Sequence, residues 1–135
     1  MVTQSAFGIS VRVPLPYPLA VERARAALAL EGFGIISEID MAAVLRKKLS
    51  VDFRPYIILG ACNHQLAHRA LSADIEIGLL LPCNVIVYAT DHPDVSVVAA
   101  MDPVVALQLS PGKEIEHLAQ DARARLERAL TAITR

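Results

Sequence analysis

Two cysteines, each followed by an asparagine, are the residues of this sequence best suited to chemistry. They occur as Cys62-Asn63 and Cys83-Asn84. Two thiols that lie close together can form a disulfide, bind a soft metal or react with sulfur species. Asparagine amides beside them would orient a ligand rather than perform chemistry. The two motifs predict one shared site, used for a small ligand or for handling thiols.

Each of these residues also has a structural interpretation. Free cysteines are commonly small, buried hydrophobic residues in protein cores. Asparagine at the end of a strand satisfies loose backbone groups and tolerates turn geometry. If both interpretations hold, the chain is a structural or interaction domain whose cysteines are inert.

Two histidines near the first motif, His64 and His68, are accessory candidates. Their spacing on a predicted helix allows both to reach one metal ion, with Cys62 as a third ligand. The sequence offers no convincing fourth ligand, so it predicts no metal and no cofactor. Surface or capping histidines are the alternative. A thiolate enzyme would need such a histidine, or a helix N-terminus, to lower the pKa of a thiol. No catalytic residue is assigned, and whether the chain is an enzyme stays open.

The position of the two thiols depends on two predicted strands. The apolar run YIILGAC (56–62) ends at Cys62, and the run NVIVYAT (84–90) follows Cys83 directly. Antiparallel pairing would place both thiols at the same end of the sheet, whereas parallel pairing would place them at opposite ends.

The rest of the chain predicts alternating strands and helices. Apolar alternation or helical periodicity identifies the remaining elements, which are strands at 6–13, 34–39 and 95–101 and helices at 18–31, 41–49, 64–73 and from about 110 to the C-terminus. Strands 84–90 and 95–101 form a predicted antiparallel hairpin. The order β-α-β-α-β-α-β-β-α indicates an α+β fold, a two-layer sandwich with helices on one sheet.

Two helices carry specific local predictions. Asp40 is a suitable N-cap for helix 41–49, whose buried stripe would consist of Met41, Val44, Leu45 and Leu49. In the last helix, Ser110 would be the N-cap and Pro111 the first helical residue.

Composition narrows the class of protein. A chain of 135 residues predicts a single domain, 1–135. The chain has 13 basic and 14 acidic residues and no basic tract, so nucleic acid is not an expected partner.

The longest charge-free stretch, 77–90, contains Pro82 and is too short for a membrane span. The N-terminus lacks the features of a signal peptide, so we expect a cytoplasmic protein. A hydrophobic content of 54% predicts surplus apolar surface and hence a homodimer.

The stretch 32–88 resembles the domain-of-unknown-function family 302. The motifs that carry the resemblance are Gly32-Phe33-Gly34, Glu38-Ile39-Asp40, Tyr56, Ile58-Leu59-Gly60-Ala61-Cys62-Asn63, Ala67, Ala70-Leu71, Gly78-Leu79-Leu80-Leu81-Pro82-Cys83-Asn84 and, later, Met101-Asp102-Pro103. His64 departs from the pattern, because family members commonly carry proline there. The resemblance implies a curved, mostly antiparallel sheet in an arrangement similar to the TATA-binding protein, and it implies dimers. It supplies no reaction and no catalytic residue.

Three functional classes follow from the sequence. The first is a binding module for a small ligand or a thiol, with its site at Cys62, Asn63, Cys83 and Asn84. The second is a structural or protein-interaction homodimer with inert cysteines, and the third is a thiol-dependent enzyme.

Overall fold

The computed structural model describes residues 1–134. Six antiparallel strands form one open sheet, in the order β1-β2-β6-β5-β4-β3. The strands are β1 (Thr3–Gln4), β2 (Gly8–Val13), β3 (Gly34–Asp40), β4 (Tyr56–Cys62), β5 (Cys83–Ala89) and β6 (Ser96–Met101). The predicted hairpin is confirmed, since β5 pairs antiparallel with β6.

Five helices connect these strands or follow them. They are α1 (Tyr17–Leu30), α2 (Met41–Leu49), α3 (His64–Ala73), α4 (Pro103–Ala106) and α5 (Lys113–Ile133). Short 3₁₀ segments at Ile75–Leu80 and Leu107–Leu109 complete the connections. The α+β class and the predicted order of strands and helices are confirmed, with β1 and α4 as additions.

Helices α1 and α5 pack together on one face of the sheet. Every second residue of β2, β4, β5 and β6 points toward these helices. The inward-facing residues of the helices recur every three or four positions, and the two sets form a single core. That core contains Ile9, Val11, Val13, Leu59, Ala61, Val85, Val87, Val98 and Ala100 from the sheet and Ala20, Ala24, Leu28, Leu126, Ala129, Leu130 and Ile133 from the helices. Within residues 1–134, the other side of the sheet carries no such layer of long helices, and we call it the open face.

A second, smaller core lies at one end of the sheet. It joins α3, the two 3₁₀ segments, α4 and the first half of α5 through Ala70, Ile77, Leu107, Ile115, Leu118 and Ala119. This cluster fixes α3 beside the end of β4, where the first Cys-Asn motif lies.

Local capping explains where several helices begin and end. Asp40 accepts a hydrogen bond from the backbone N–H of Ala43 at 3.0 Å, which confirms it as the N-cap of α2. Gly32 ends α1 with a φ of 85°, a left-handed conformation that glycine adopts without steric cost. The N–H of Phe33 then returns to the carbonyl of Leu28, as in a Schellman motif.

Two local predictions were wrong. Ser110 does not cap α5, because its hydroxyl donates to Asp74 Oδ2 at 2.7 Å and the helix begins at Lys113 after Gly112. The apolar stripe of α2 is not fully buried: Val44 and Leu49 are 40% and 65% exposed, and Met41 and Leu45 are half-buried. The main contacts of α2 are with β3 and β4, near the edge of the sheet.

The edge strand β3 is irregular. Its pairing with β4 shifts between Ile35 and Ser37, as in a β-bulge. Beyond the bulge its side chains are exposed and include the carboxylates of Glu38 and Asp40.

Among residues 1–134, no helix has the length and apolar composition that a membrane crossing requires.

Candidate functional site

Strand pairing brings the two cysteines to the same end of the sheet. Strands β4 and β5 are antiparallel, with Ala61 opposite Cys83 and Gly60 opposite Asn84. The parallel alternative is therefore wrong. Cys62, one residue beyond Ala61, borders the same small cavity as Cys83.

This cavity is small and mostly apolar. Its volume is about 40 Å³, and apart from the thiols and Asn63 its walls are apolar side chains such as Phe33, Leu66 and Leu118. Ligand pockets for small molecules commonly have volumes of roughly 300–1,000 Å³. The cavity therefore has room for a few atoms and no more.

Both thiols are free, and their surroundings keep them protonated. Burial, together with the nearby negative charge of a Cys62 thiolate, raises the pKa of Cys83 to about 11. Burial also raises the pKa of Cys62 above its ordinary value. An activated thiol needs the opposite shift, so these surroundings do not favour a thiolate nucleophile.

Asn63 has a structural role at the start of α3. Its Oδ1 accepts a hydrogen bond from the backbone N–H of Leu66 at 3.1 Å, which makes it the N-cap of the helix. A β-carbon at Gly32 would lie only 2.9 Å from Asn63 Nδ2. The glycine that ends α1 therefore also leaves room for the amide that begins α3.

Asn84 lies on the open face of the sheet. It follows Cys83 within β5, and neighbouring residues of a strand point to opposite faces. Cys83 packs against the main core, whereas Asn84 is exposed and borders a trough on the other side. The structure brings Cys62, Asn63 and Cys83 together and separates Asn84 from them.

The accessory histidines lie on the surface of α3. His64 and His68 are both exposed, and the ring of His64 lies above Gly34, where a β-carbon would be 3.4 Å from Cε1. Within residues 1–134, no three His, Cys, Asp or Glu side chains converge as a metal site would require. Cys62 and the two histidines therefore do not form a common ligand set.

The trough on the open face is the largest concave feature near the second motif. It has a volume of about 860 Å³. The lower part consists of Gly8, Ser10, Tyr56, Asn84, Ile86, Tyr88, Ala99 and Met101, and the rim includes Phe7, Leu79, Pro82 and Leu109. No charged side chain of the described residues lines it.

Two tyrosines of the trough were missed by the sequence analysis. Tyr56 and Tyr88 face each other across β4 and β5, with ring centroids 5.6 Å apart and planes inclined by 10°. Burial and the neighbouring Tyr88 raise the pKa of Tyr56 above its ordinary value, so the Tyr56 hydroxyl is a neutral hydrogen-bond donor at neutral pH. The sequence shows one tyrosine in each of the two strands, but it does not show the register that places them opposite each other.

The Met101-Asp102-Pro103 motif also has a structural role. The buried Asp102 accepts hydrogen bonds from Arg123 Nε and Gln4 Nε2, each at 3.1 Å, and from the N–H of Val104 at 2.9 Å. Through these hydrogen bonds, the Asp102 carboxylate connects α5, β1 and the start of α4 to the end of β6.

A solved structure closely resembles this fold. It is described as an uncharacterized conserved protein DUF302 from Bacillus stearothermophilus. The TM-score is 0.86 at 27% sequence identity, and the match covers 97% of this chain and 100% of that chain. No curated protein matches the sequence.

The family assignment rests on the sequence as well as on the fold. The family profile described as "Domain of unknown function DUF302" matches residues 9–133, nearly the whole chain. The resemblance that began with the two Cys-Asn motifs is confirmed, and the protein belongs to the DUF302 family.

Proposed function

We propose that this protein binds a small, uncharged and largely apolar molecule in the trough on its open face. The observation that carries the proposal is a concavity of about 860 Å³ beside the second Cys-Asn motif with no charged residue in its lining. Its size lies within the range of small-molecule pockets.

The lining suits a ligand with few polar groups. Ile86, Ala99 and Met101 offer apolar surface, while Asn84 and Ser10 offer hydrogen-bonding groups. Predominantly apolar walls with a few placed polar groups are typical of small-molecule sites. The polar groups would fix the orientation of the ligand and the apolar walls would supply most of the binding free energy.

Thiol handling has less support than ligand binding. The cavity that Cys62 and Cys83 both line has a volume of only about 40 Å³, and the pKa of each thiol is raised. In this proposal neither thiol lines the site, and only Asn84 of the two motifs contacts the ligand.

Titration with Nile red, an uncharged dye that fluoresces in apolar surroundings, tests the proposal. We expect saturable binding to the native protein, which Ala99→Phe weakens by about tenfold because a ring would occupy the trough. Ala124→Phe, the same change at an exposed position of α5, is the matched control and should not alter binding. If the native protein shows no saturable binding, or if both variants bind equally well, the proposal is wrong.

Homodimer formation through the same face is a second candidate function. Phe7, Leu79 and Leu109 at the rim are 64%, 83% and 80% exposed, and clustered exposed apolar side chains mark interaction surfaces. Sedimentation equilibrium would test it, with Leu109→Glu expected to shift a dimer to monomers. Leu30→Glu, at the equally exposed end of α1, is the control that should leave the dimer intact. A native protein that sediments as a monomer contradicts this candidate.

A further inference from the structure

The apolar surface of the open face extends beyond the trough. One row of directly opposite residues crosses five strands and consists of Ser10, Ala99, Ile86, Ile58 and Ile39. Directly opposite residues share a face of the sheet. The first three line the trough, whereas Ile58 and Ile39 lie outside its lining. Because Ile39 is 44% exposed, a small ligand in the trough leaves apolar surface of the sheet in water.

The central strands are apolar on both faces. Antiparallel strands with one solvated face commonly alternate apolar and polar side chains. Strands β4, β5 and β6 depart from this rule, because their open-face positions, apart from Asn84, hold Tyr56, Ile58, Gly60, Ile86, Tyr88, Val97, Ala99 and Met101. Strands that are buried on both faces read as such continuous apolar runs. The composition therefore favours a cover over the open face that is larger than a small ligand.

The charge and the size of the open face suit a second copy of this chain. Within residues 1–134, its strand positions carry one charge, Arg12, opposite Val97 near the end of β2. A twofold interface brings the same patch of both subunits together, so the uncharged centre meets no like charge and few ions lose water. Five strands about 4.8 Å apart and about 20 Å long provide an area of the order that standard interfaces bury, roughly 800 Å² per partner.

The trough has a floor and one wall. The sheet forms the floor, and the segments 79–82 and 105–109 form the wall at the end where β5 begins and β6 ends. Small-molecule sites commonly bury about 70–90% of the ligand surface. A ligand held by a floor and one wall keeps its outer surface in water, and a second open face above it would remove that exposure.

We propose, resting on the ligand binding proposed above, that two copies of this chain pack open face to open face and enclose the ligand between them. Each copy supplies the outer wall of its partner's trough, and the site is incomplete without that partner. Ligand binding and dimer formation are therefore coupled. By linkage, the ligand strengthens the dimer by the same factor by which dimer formation strengthens ligand binding.

Sedimentation equilibrium of the native protein, with and without saturating Nile red, tests the coupling. We expect the dye to lower the dissociation constant of the dimer by about tenfold, within the usual range for coupled sites. The reciprocal measurement is a dye titration at several protein concentrations. The apparent dissociation constant of the dye should decrease as the fraction of dimer increases.

A variant on the open face, outside the trough, separates the partner's contribution from that of the lining. Ile39→Glu places a carboxylate that the dimer would have to desolvate, and it leaves the lining of each copy intact. We expect this variant to sediment as a monomer and to bind Nile red about tenfold more weakly than the native protein. Leu30→Glu, at the exposed end of α1, is the matched control and should keep both the dimer and the dye affinity. Circular dichroism establishes that both variants are folded.

The outcomes separate this inference from the proposed function. If Ile39→Glu is a monomer that binds the dye as tightly as the native protein, or if the dye leaves the dimer unchanged, the trough needs no partner and the coupling is wrong. An unaltered dimer in Ile39→Glu places the interface elsewhere and also overturns the inference.

Two further results identify another occupant of the open face. If the dye dissociates the dimer, the partner fills the trough itself. If the native protein binds the dye but remains a monomer at every concentration, a different molecule covers the face. Either result contradicts the coupling. If no dye binds, both the proposed function and this inference fail.

Discussion

Cys83 and Asn84 are adjacent in the sequence, yet their side chains lie on opposite faces of the sheet. Cys83 packs against the core beneath the helices, and Asn84 borders the trough on the open face. The second Cys-Asn motif therefore connects two environments, and changes at its two positions should have different consequences. A substitution at Cys83 tests the packing of the core, whereas a substitution at Asn84 tests the proposed ligand site.

We expect the thiols to react slowly with iodoacetamide at neutral pH. The pKa of each is raised, and alkylation requires the thiolate. Cys62 should be labelled before Cys83, because Cys83 packs against the core and has a pKa of about 11. Mass spectrometry of each cysteine across a pH series measures the order. A labelling midpoint near pH 7 at either cysteine would contradict the assignment of both thiols as protonated.

Alkaline pH should destabilise the protein through Cys83. The folded protein retains the Cys83 thiol proton up to about pH 11. In the unfolded chain, the thiol has the ordinary pKa of 9.0 and loses its proton at lower pH. Below about pH 9 both states hold the proton, so the contribution to stability is fully present. Between the two pKa values the unfolded chain binds fewer protons, so the free energy of unfolding decreases as pH rises, by up to about 1.4 kcal/mol per pH unit from this group.

Urea unfolding of the native protein and of Cys83→Ala from pH 8 to 11 measures this slope. The variant lacks the thiol, so its stability should decline less steeply with pH. Tyr17 and Tyr56, whose pKa values are also raised, contribute equally to both proteins. Parallel pH profiles for the two proteins would refute the prediction.

Gly32→Ala should destabilise the fold by more than 1 kcal/mol, roughly the cost of a non-glycine residue in the left-handed region. The added β-carbon would also meet Asn63 Nδ2 at 2.9 Å and disturb the N-cap of α3. Gly78→Ala is the matched control, because its β-carbon would meet only Leu71 at an ordinary 3.8 Å. Equal midpoints of thermal unfolding for the two variants would show that Gly32 has no special role.

Asp102→Ala should lower the free energy of unfolding by about 2–3 kcal/mol, since it leaves Arg123 and Gln4 without their buried acceptor and removes a cap. Asp121→Ala is the control. Asp121 also pairs with an arginine of α5, at 2.8 Å, but its side chain is 43% exposed, and such surface pairs contribute about 0–1 kcal/mol. Chemical denaturation compares the two, and a loss of similar size in both would contradict a special role for Asp102.

The helices and strands with clear periodicity were predictable because the spacing of their apolar residues determines which face is buried. The face of α5 that includes Leu118, Leu126 and Leu130 is buried as its spacing predicts. The strand β4 has the predicted ends, because it is an apolar run bounded by polar or proline-containing segments. The N-cap at Asp40 was also predictable, since its side chain acts on a backbone group three residues away.

Features that depend on distant neighbours could not be predicted in the same way. Ser110 has the composition of a helix cap, but Asp74, which is far away in sequence, binds its hydroxyl instead. The apolar stripe of α2 has a normal pattern, but its contacts with β3 and β4 leave every residue of the stripe at least partly exposed. The separation of Asn84 from Cys83 was accessible in principle, because adjacent residues of any strand alternate between faces. The prediction of one shared site treated these two neighbours as lying together and did not apply this alternation to them.

The bulge in β3 has a consequence for how the protein behaves at high concentration. A regular, apolar edge strand is a template on which further chains can add and polymerise. Here the edge is interrupted between Ile35 and Ser37 and then carries the Arg25–Glu38 ion pair and the exposed carboxylate of Asp40, charged groups that an added strand would have to desolvate. At the opposite edge, β1 has only two residues. The sheet can thus present an apolar surface for binding while both of its margins oppose growth into fibrils.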